Sequence, residues 1–144
     1  MFIDTHMHEM TYSKDSFLAL DQMVQIARMK GLEGICVTDH DSMGLKEYAA
    51  EYSKDTGFPI FVGIEYYSLQ GDIVAFGIED YPTERIPAQD FIDLVNAQGG
   101  VCFAAHPFRN NNRGTRGESA QGKRPSWPGG TKRKHFCGGM PRRR

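Results

Sequence analysis

The sequence predicts an α/β fold built on a largely parallel sheet or barrel, and three observations carry that prediction. Four apolar runs, at 2–6, 33–40, 59–65 and 101–107, have the length and continuity of buried strands. Segments with apolar residues at helical spacing alternate with them, which excludes an all-β sandwich. The residues best suited to chemistry stand at the ends of the runs, and parallel α/β sheets carry their sites at the carboxyl ends of their strands.

Residues 2–6 read as a short buried strand. In "DSFLALDQMVQIARMKG", Asp15 or Ser16 can cap a helix whose Phe17, Leu20, Val24 and Ala27 recur at helical spacing, and Gly31 ends it. "EGICVTDH" is a second buried strand. A helix is expected from about Ser42 to Asp55, stopped by Gly57 and Pro59. "PIFVGIE" is a third strand, and "YYSLQGDIVAFGI" reads as a hairpin that turns at "QGD". Pro87 opens a third helix, "PAQDFIDLVNAQGG", which closes at Gly99. "VCFAAHP" supplies a fourth buried strand.

A total of 144 residues, 40% hydrophobic and 24% charged, suits one ordinary globular domain. The formal net charge of −1 conceals a break. Up to Phe108 there are 6 Lys+Arg against 17 Asp+Glu, a net of −11; from Arg109 there are 11 against 1, a net of +10. The last stretch contains no Val, Ile or Leu, but seven Gly and three Pro, so it cannot bury a core face. The expected division is a β/α domain over 1–114 and a disordered basic Gly/Pro/Arg-rich tail over 115–144. With no apolar run of about 18 residues and no signal-like N-terminus, a cytoplasmic protein that does not engage membranes is expected. Cys36 and Cys102 fall in apolar runs and Cys137 in the tail, so the thiols read as small hydrophobes without a disulfide framework.

The first strand leads into "IDTHMHEM". In an extended chain, residues two apart share a face, so Asp4, His6 and His8 would line one side and place two imidazoles together. Neutral imidazole is the commonest biological metal ligand. Asp39 and His40 end the second strand, Glu65 the third and His106 the fourth, so four of the five histidines and a carboxylate fall at consecutive strand ends. Taken singly, each has a plainer reading: "TDHDS" can cap a helix through Asp41 or Ser42, and His106 before Pro107 can be a turn residue. Jointly they point to a metal cluster on one rim.

These residues resemble the PHP (polymerase and histidinol phosphatase) superfamily of metal-dependent phosphoesterases. "DTHMHEMTYSKDS" looks like its first motif, "VTDHDSMG" its second, "GIEYYSLQGDIVAFGI" its third and "AAHPFRNNNRG" its fourth, in order, across residues 2 to about 114. The resemblance implies a distorted seven-stranded, TIM-like β/α barrel with two or three divalent ions, Zn, Mn or Fe, at its carboxyl-terminal rim. His6 and His8 would bind the first ion, Glu65 would bridge two, and His40 and His106 would serve neighbouring sites. Asp15 would match the acid that some members place after the first motif. Asp4 and Asp39 read as acids that orient the imidazoles by accepting their remaining N–H. Glu65, His8 and Arg109 are the residues expected at the reaction, Arg109 either offering its planar fork to a phosphate or standing as an ordinary surface arginine.

Such ions lower the pKa of bound water from 15.7 to about 7 and stabilise phosphoryl charge, so the expected function is phosphate ester hydrolysis by a metal-activated water. The expected partner is a small phosphorylated substrate or nucleotide. Relatives are usually longer and bring ligands from later strands, including a late Asp-x-His pair that this sequence lacks. It is therefore expected to hold an incomplete N-terminal part of the barrel, truncated or read out of frame, with open edges that favour self-association. His135 reads as a tail residue without a role. Two other functions compete: a metal-binding but catalytically incomplete fragment, and a nucleic-acid binder working through the basic tail, with Trp127 and Phe136 as stacking surfaces.

Overall fold

A computed structural model describes residues 2–110, 113 and 114. The expected tail over 115–144, with Trp127, His135, Phe136 and Cys137, lies outside the described residues. The chain is of the α/β class, in the order β1 (Ile3–Met7), α1 (Leu20–Met29), β2 (Gly34–His40), α2 (Lys46–Thr56), β3 (Ile60–Ser68), β4 (Gly71–Phe76), α3 (Ala88–Ala97) and β5 (Val101–Ala104). Its contacts divide it into two compact units, Met1–Tyr66 and Tyr67–Arg144. Strand β3 crosses the boundary.

In the first unit β1, β2 and β3 form a parallel array. The β2 strand is buried from Gly34 to Asp39, as its unbroken apolar run predicts, whereas β1 pairs on one side with β2 and leaves Asp4 and Thr5 exposed. Full burial of β1 was too strong an expectation for a strand with one neighbour. The register matches His40, at the end of β2, with Glu65, which does not end its strand as expected because β3 runs on to Ser68. Between β1 and β2 the register slips by one residue, Asp4 pairing with Ile35 but Met7 with Val37. A slip of this kind interrupts strict alternation, and bulges are common where a strand end must aim side chains.

The first unit's core is an apolar layer of Leu20, Met23, Val24 and Ala27 from α1, Ile35 and Val37 from β2, and Leu45, Ala49 and Phe58 around α2. Each large side chain so buried contributes about 1.5–3 kcal/mol. Both helices start later than the sequence predicts. Helix α1 begins at Leu20, and Phe17 is 86% exposed instead of joining the apolar stripe. The reason is that the supposed caps are used elsewhere: Ser16 Oγ donates to the His8 carbonyl at 2.6 Å, and Asp15 Oδ2 meets His40 Nε2 at 2.9 Å. Gln22 Oε1 accepts the Ala19 N–H instead. Helix α2 begins at Lys46 because Ser42 Oγ closes a short turn onto the Gly44 N–H. It ends as predicted at Gly57, whose φ of 64° favours glycine, and Arg28 Nη2 donates to the terminal Thr56 carbonyl at 2.9 Å.

In the second unit β4 and β5 pair antiparallel, so the array is not parallel throughout. Buried Ile73, Val74 and Ala75 from β4 belong with Phe91 and Val95 from α3 and Cys102 from β5 to the apolar interior of this unit. Pro87 is the N-cap of α3, and Gly99, at φ 76°, follows its end. Strand β5 alternates between buried Cys102 and exposed Val101 and Phe103, so it is not the doubly buried strand its composition predicts. The turn before β4 is Leu69–Gln70, and Gly71 and Asp72 already belong to the strand. Cys36 and Cys102 are buried free thiols. Among the described residues, no helix is long and apolar enough to cross a membrane.

Candidate metal centre

Four elements of sequence build the site in the first unit. The end of β1 supplies His6 and the residue after it His8, the end of β2 supplies His40, β3 supplies Glu65, and the loop between β1 and α1 supplies Asp15. The carboxylate is completely buried and the three imidazoles are partly exposed around it. His6 Nε2, His8 Nε2 and His40 Nδ1 lie 3.4, 3.2 and 3.0 Å from the same oxygen, Glu65 Oε2. His6 Nε2 and His8 Nε2 are 3.1 Å apart. The His8 and His40 rings stack with centroids 4.3 Å apart.

His40 is the pivot. Its Nδ1 faces Glu65 and its Nε2 faces Asp15 Oδ2 at 2.9 Å. A neutral imidazole has one N–H and cannot donate to both carboxylates. Burial pushes the Glu65 carboxyl up, but the imidazoles of His40, His6 and His8 beside it outweigh burial and hold the group far below the usual carboxylate range. The hydrogen bond from His40 likewise lowers Asp15, with burial opposing.

The donor set fits a divalent ion. Ligand nitrogens and oxygens about 2.0–2.2 Å from one ion stand roughly 3.0–3.5 Å from each other at tetrahedral or octahedral angles. The separations around Glu65 fall in that span. Two groups in this unit have ligand atoms within 4.8 Å of one another: His6, His8 and Glu65, and His8, Asp15 and His40.

The expected site residues His6, His8, Asp15, His40 and Glu65 are thus brought together. His106 and Arg109 belong to the second unit. There His106, at a positive φ of 29°, places Nε2 at 3.5 Å from Asp72 Oδ2, while Arg113 Nε donates to the same oxygen at 2.8 Å. The Arg109 N–H donates to the His106 carbonyl at 2.8 Å, and the residue is exposed. Asp72, buried, was missed because "QGD" reads as a turn, and only its place in β4 reveals it as the partner of a histidine and an arginine.

The acids read as imidazole-orienting groups behave differently from the expectation. Asp4 Oδ1 accepts the backbone N–H of His6 at 3.2 Å. Asp39, which burial pushes up against two hydrogen bonds that lower it, accepts the Glu9 N–H at 2.6 Å and the Ser13 hydroxyl at 2.7 Å through Oδ1. Ser13 Oγ, not Asp39, meets His8 Nδ1, at 3.3 Å.

The PHP domain family model matches residues 4–113, most of the chain. The chain belongs to the PHP domain family. An uncharacterized protein of Methanocaldococcus jannaschii is 23% identical over 86 residues, which cover 60% of this chain and 50% of that protein. A solved structure of a presumed metal-dependent phosphoesterase from Bifidobacterium adolescentis is similar at 29% identity and a TM-score of 0.47, over 52% of this chain and 27% of its own. An amidohydrolase from Chromobacterium violaceum, solved with sulfate and no metal, gives 28% and 0.47, over 58% and 30%. This chain spans about half the length of the curated relative it matches.

Proposed function

We propose that this PHP domain hydrolyses phosphate esters with the help of two or three divalent ions, Zn, Mn or Fe. The observation that carries the reading is the convergence of three imidazoles on the single buried oxygen Glu65 Oε2, at 3.0–3.4 Å. His6, His8 and Glu65 would hold one ion and Asp15 and His40 would serve a second, with His106 serving a further site and Arg109 contacting phosphate. When bound, such ions supply a water acidified towards neutral pH and positive charge for the phosphoryl oxygens.

The chain's own groups define the rest. Buried Glu65 fixes negative charge at the base of the cluster, and the imidazoles stand between it and solvent. Asp15, whose side chain is 62% exposed, marks the side from which a small phosphorylated substrate or nucleotide would reach them. A second reading is metal binding without turnover.

The test is hydrolysis of p-nitrophenyl phosphate by the purified chain with and without added Mn, beside a His6→Ala/His8→Ala variant, with metal analysis of both. Metal-dependent turnover that disappears in the variant is expected. Metal retained by the wild type without turnover favours the second reading, and absence of metal from both proteins refutes the first and the second alike.

A further inference from the structure

Resting on the metal-binding reading for its functional consequence, a network one step behind the imidazoles defines a further role. We propose that Ser13 is a positioning residue that fixes His8 with its proton on Nδ1, so that the lone pair of Nε2 points into the cluster with His6 and Glu65. Ser13 is buried in the loop between β1 and α1, and its oxygen has three neighbours: Asp39 Oδ1 at 2.7 Å, the His40 backbone N at 3.1 Å and His8 Nδ1 at 3.3 Å.

Counting protons assigns each bond. A hydroxyl has one hydrogen to give and two lone pairs to receive with. Asp39 Oδ1 accepts both the Glu9 N–H at 2.6 Å and the Ser13 O–H at 2.7 Å, so the one Ser13 hydrogen goes to it. The His40 N–H occupies one lone pair of Ser13. What remains for His8 is the other lone pair, so Nδ1 must bring the hydrogen. In a neutral imidazole Nε2 is then bare, and it lies 3.1 Å from His6 Nε2 and 3.2 Å from Glu65 Oε2.

The same oxygen therefore does two things. It sets the tautomer of His8, and it ties the end of β2 at His40 to the loop that follows His8. Asp39 acts through Ser13, which replaces the expectation that its carboxylate touches an imidazole directly.

The test is long-range ¹H–¹⁵N correlation of the histidine side chains in the metal-free full chain at about pH 8, where imidazoles are neutral. His8 is expected to show the Nδ1–H tautomer in the wild type, to lose that preference in Ser13→Ala, and to keep it in Ser13→Thr, which retains the hydroxyl. A wild-type His8 protonated on Nε2 overturns the proposal without any variant having to fold, and so does an unchanged His8 pattern in folded Ser13→Ala. Competition with a chelator should show zinc bound about tenfold more weakly by Ser13→Ala, with Thr restoring it. If the tautomer follows Ser13 while zinc binds to none of the three proteins, the positioning role stands and the metal-binding reading falls. If zinc binds to all three while the tautomer ignores Ser13, the reverse holds.

Discussion

Glu65 concentrates the electrostatics of this protein in one side chain. A carboxylate with no exposed surface is costly unless its charge is compensated, and here the ring nitrogens of three imidazoles stand 3.0–3.4 Å from one of its oxygens. Its folded pKa lies below its unfolded one, because the imidazoles beside it outweigh the burial that would raise it. The stability it contributes is therefore complete above the ordinary glutamate value of about 4.3 and drains away as the pH falls below it. Urea unfolding of the metal-free chain across a pH series should show the gap between wild type and Glu65→Gln narrowing steadily below about pH 4. A gap that stays constant with pH would contradict this account.

At the scale of elements, glycine contacts decide more than apolar content. A Cβ on Gly100 would stand 2.6 Å from the Phe76 carbonyl oxygen and 2.7 Å from Ile78 Cγ2, where α3 returns to the strands of its unit. Gly100→Ala should destabilise by about 1–3 kcal/mol, read as a lower urea midpoint at unchanged slope. An unchanged midpoint would mean that the backbone there gives way freely. Local pattern made the helices and strands legible, down to the Gly57 stop and the Pro87 start. What pattern could not supply was competition for side chains. Asp15 and Ser16 look like caps in the sequence, but His40 and the His8 carbonyl claim them, and α1 starts at Leu20 as a result. The same holds for the site: His6, His8, His40 and Glu65 stand out at strand ends. Ser13 and Asp72 are recognisable only by burial and by the neighbours that long-range folding gives them.

For the whole molecule, the uneven distribution of apolar surface matters as much as the site. In the second unit Val101 and Phe103 are exposed on β5 and Phe108 is 74% exposed beyond it, apolar side chains that association would cover. We expect sedimentation velocity to show concentration-dependent self-association of the purified chain, persisting in moderate salt because apolar contacts drive it. A single monomeric species at all concentrations would refute this. The opposite charges before and after Arg109 provide the control: association that vanishes with salt would be electrostatic instead.

His6, His8, His40 and Glu65 come from three strands and their flanks, separated by long stretches of chain, yet all lie within the first unit. An unfolded chain would offer them as scattered, weak donors, whereas the native one offers them together. By mass action, an ion that binds the native state alone would add about 4 kcal/mol at a thousandfold excess over its dissociation constant, a large share of what holds a domain of this size folded. Such binding would make ion supply a determinant of how long the protein persists intact, quite apart from any reaction it performs.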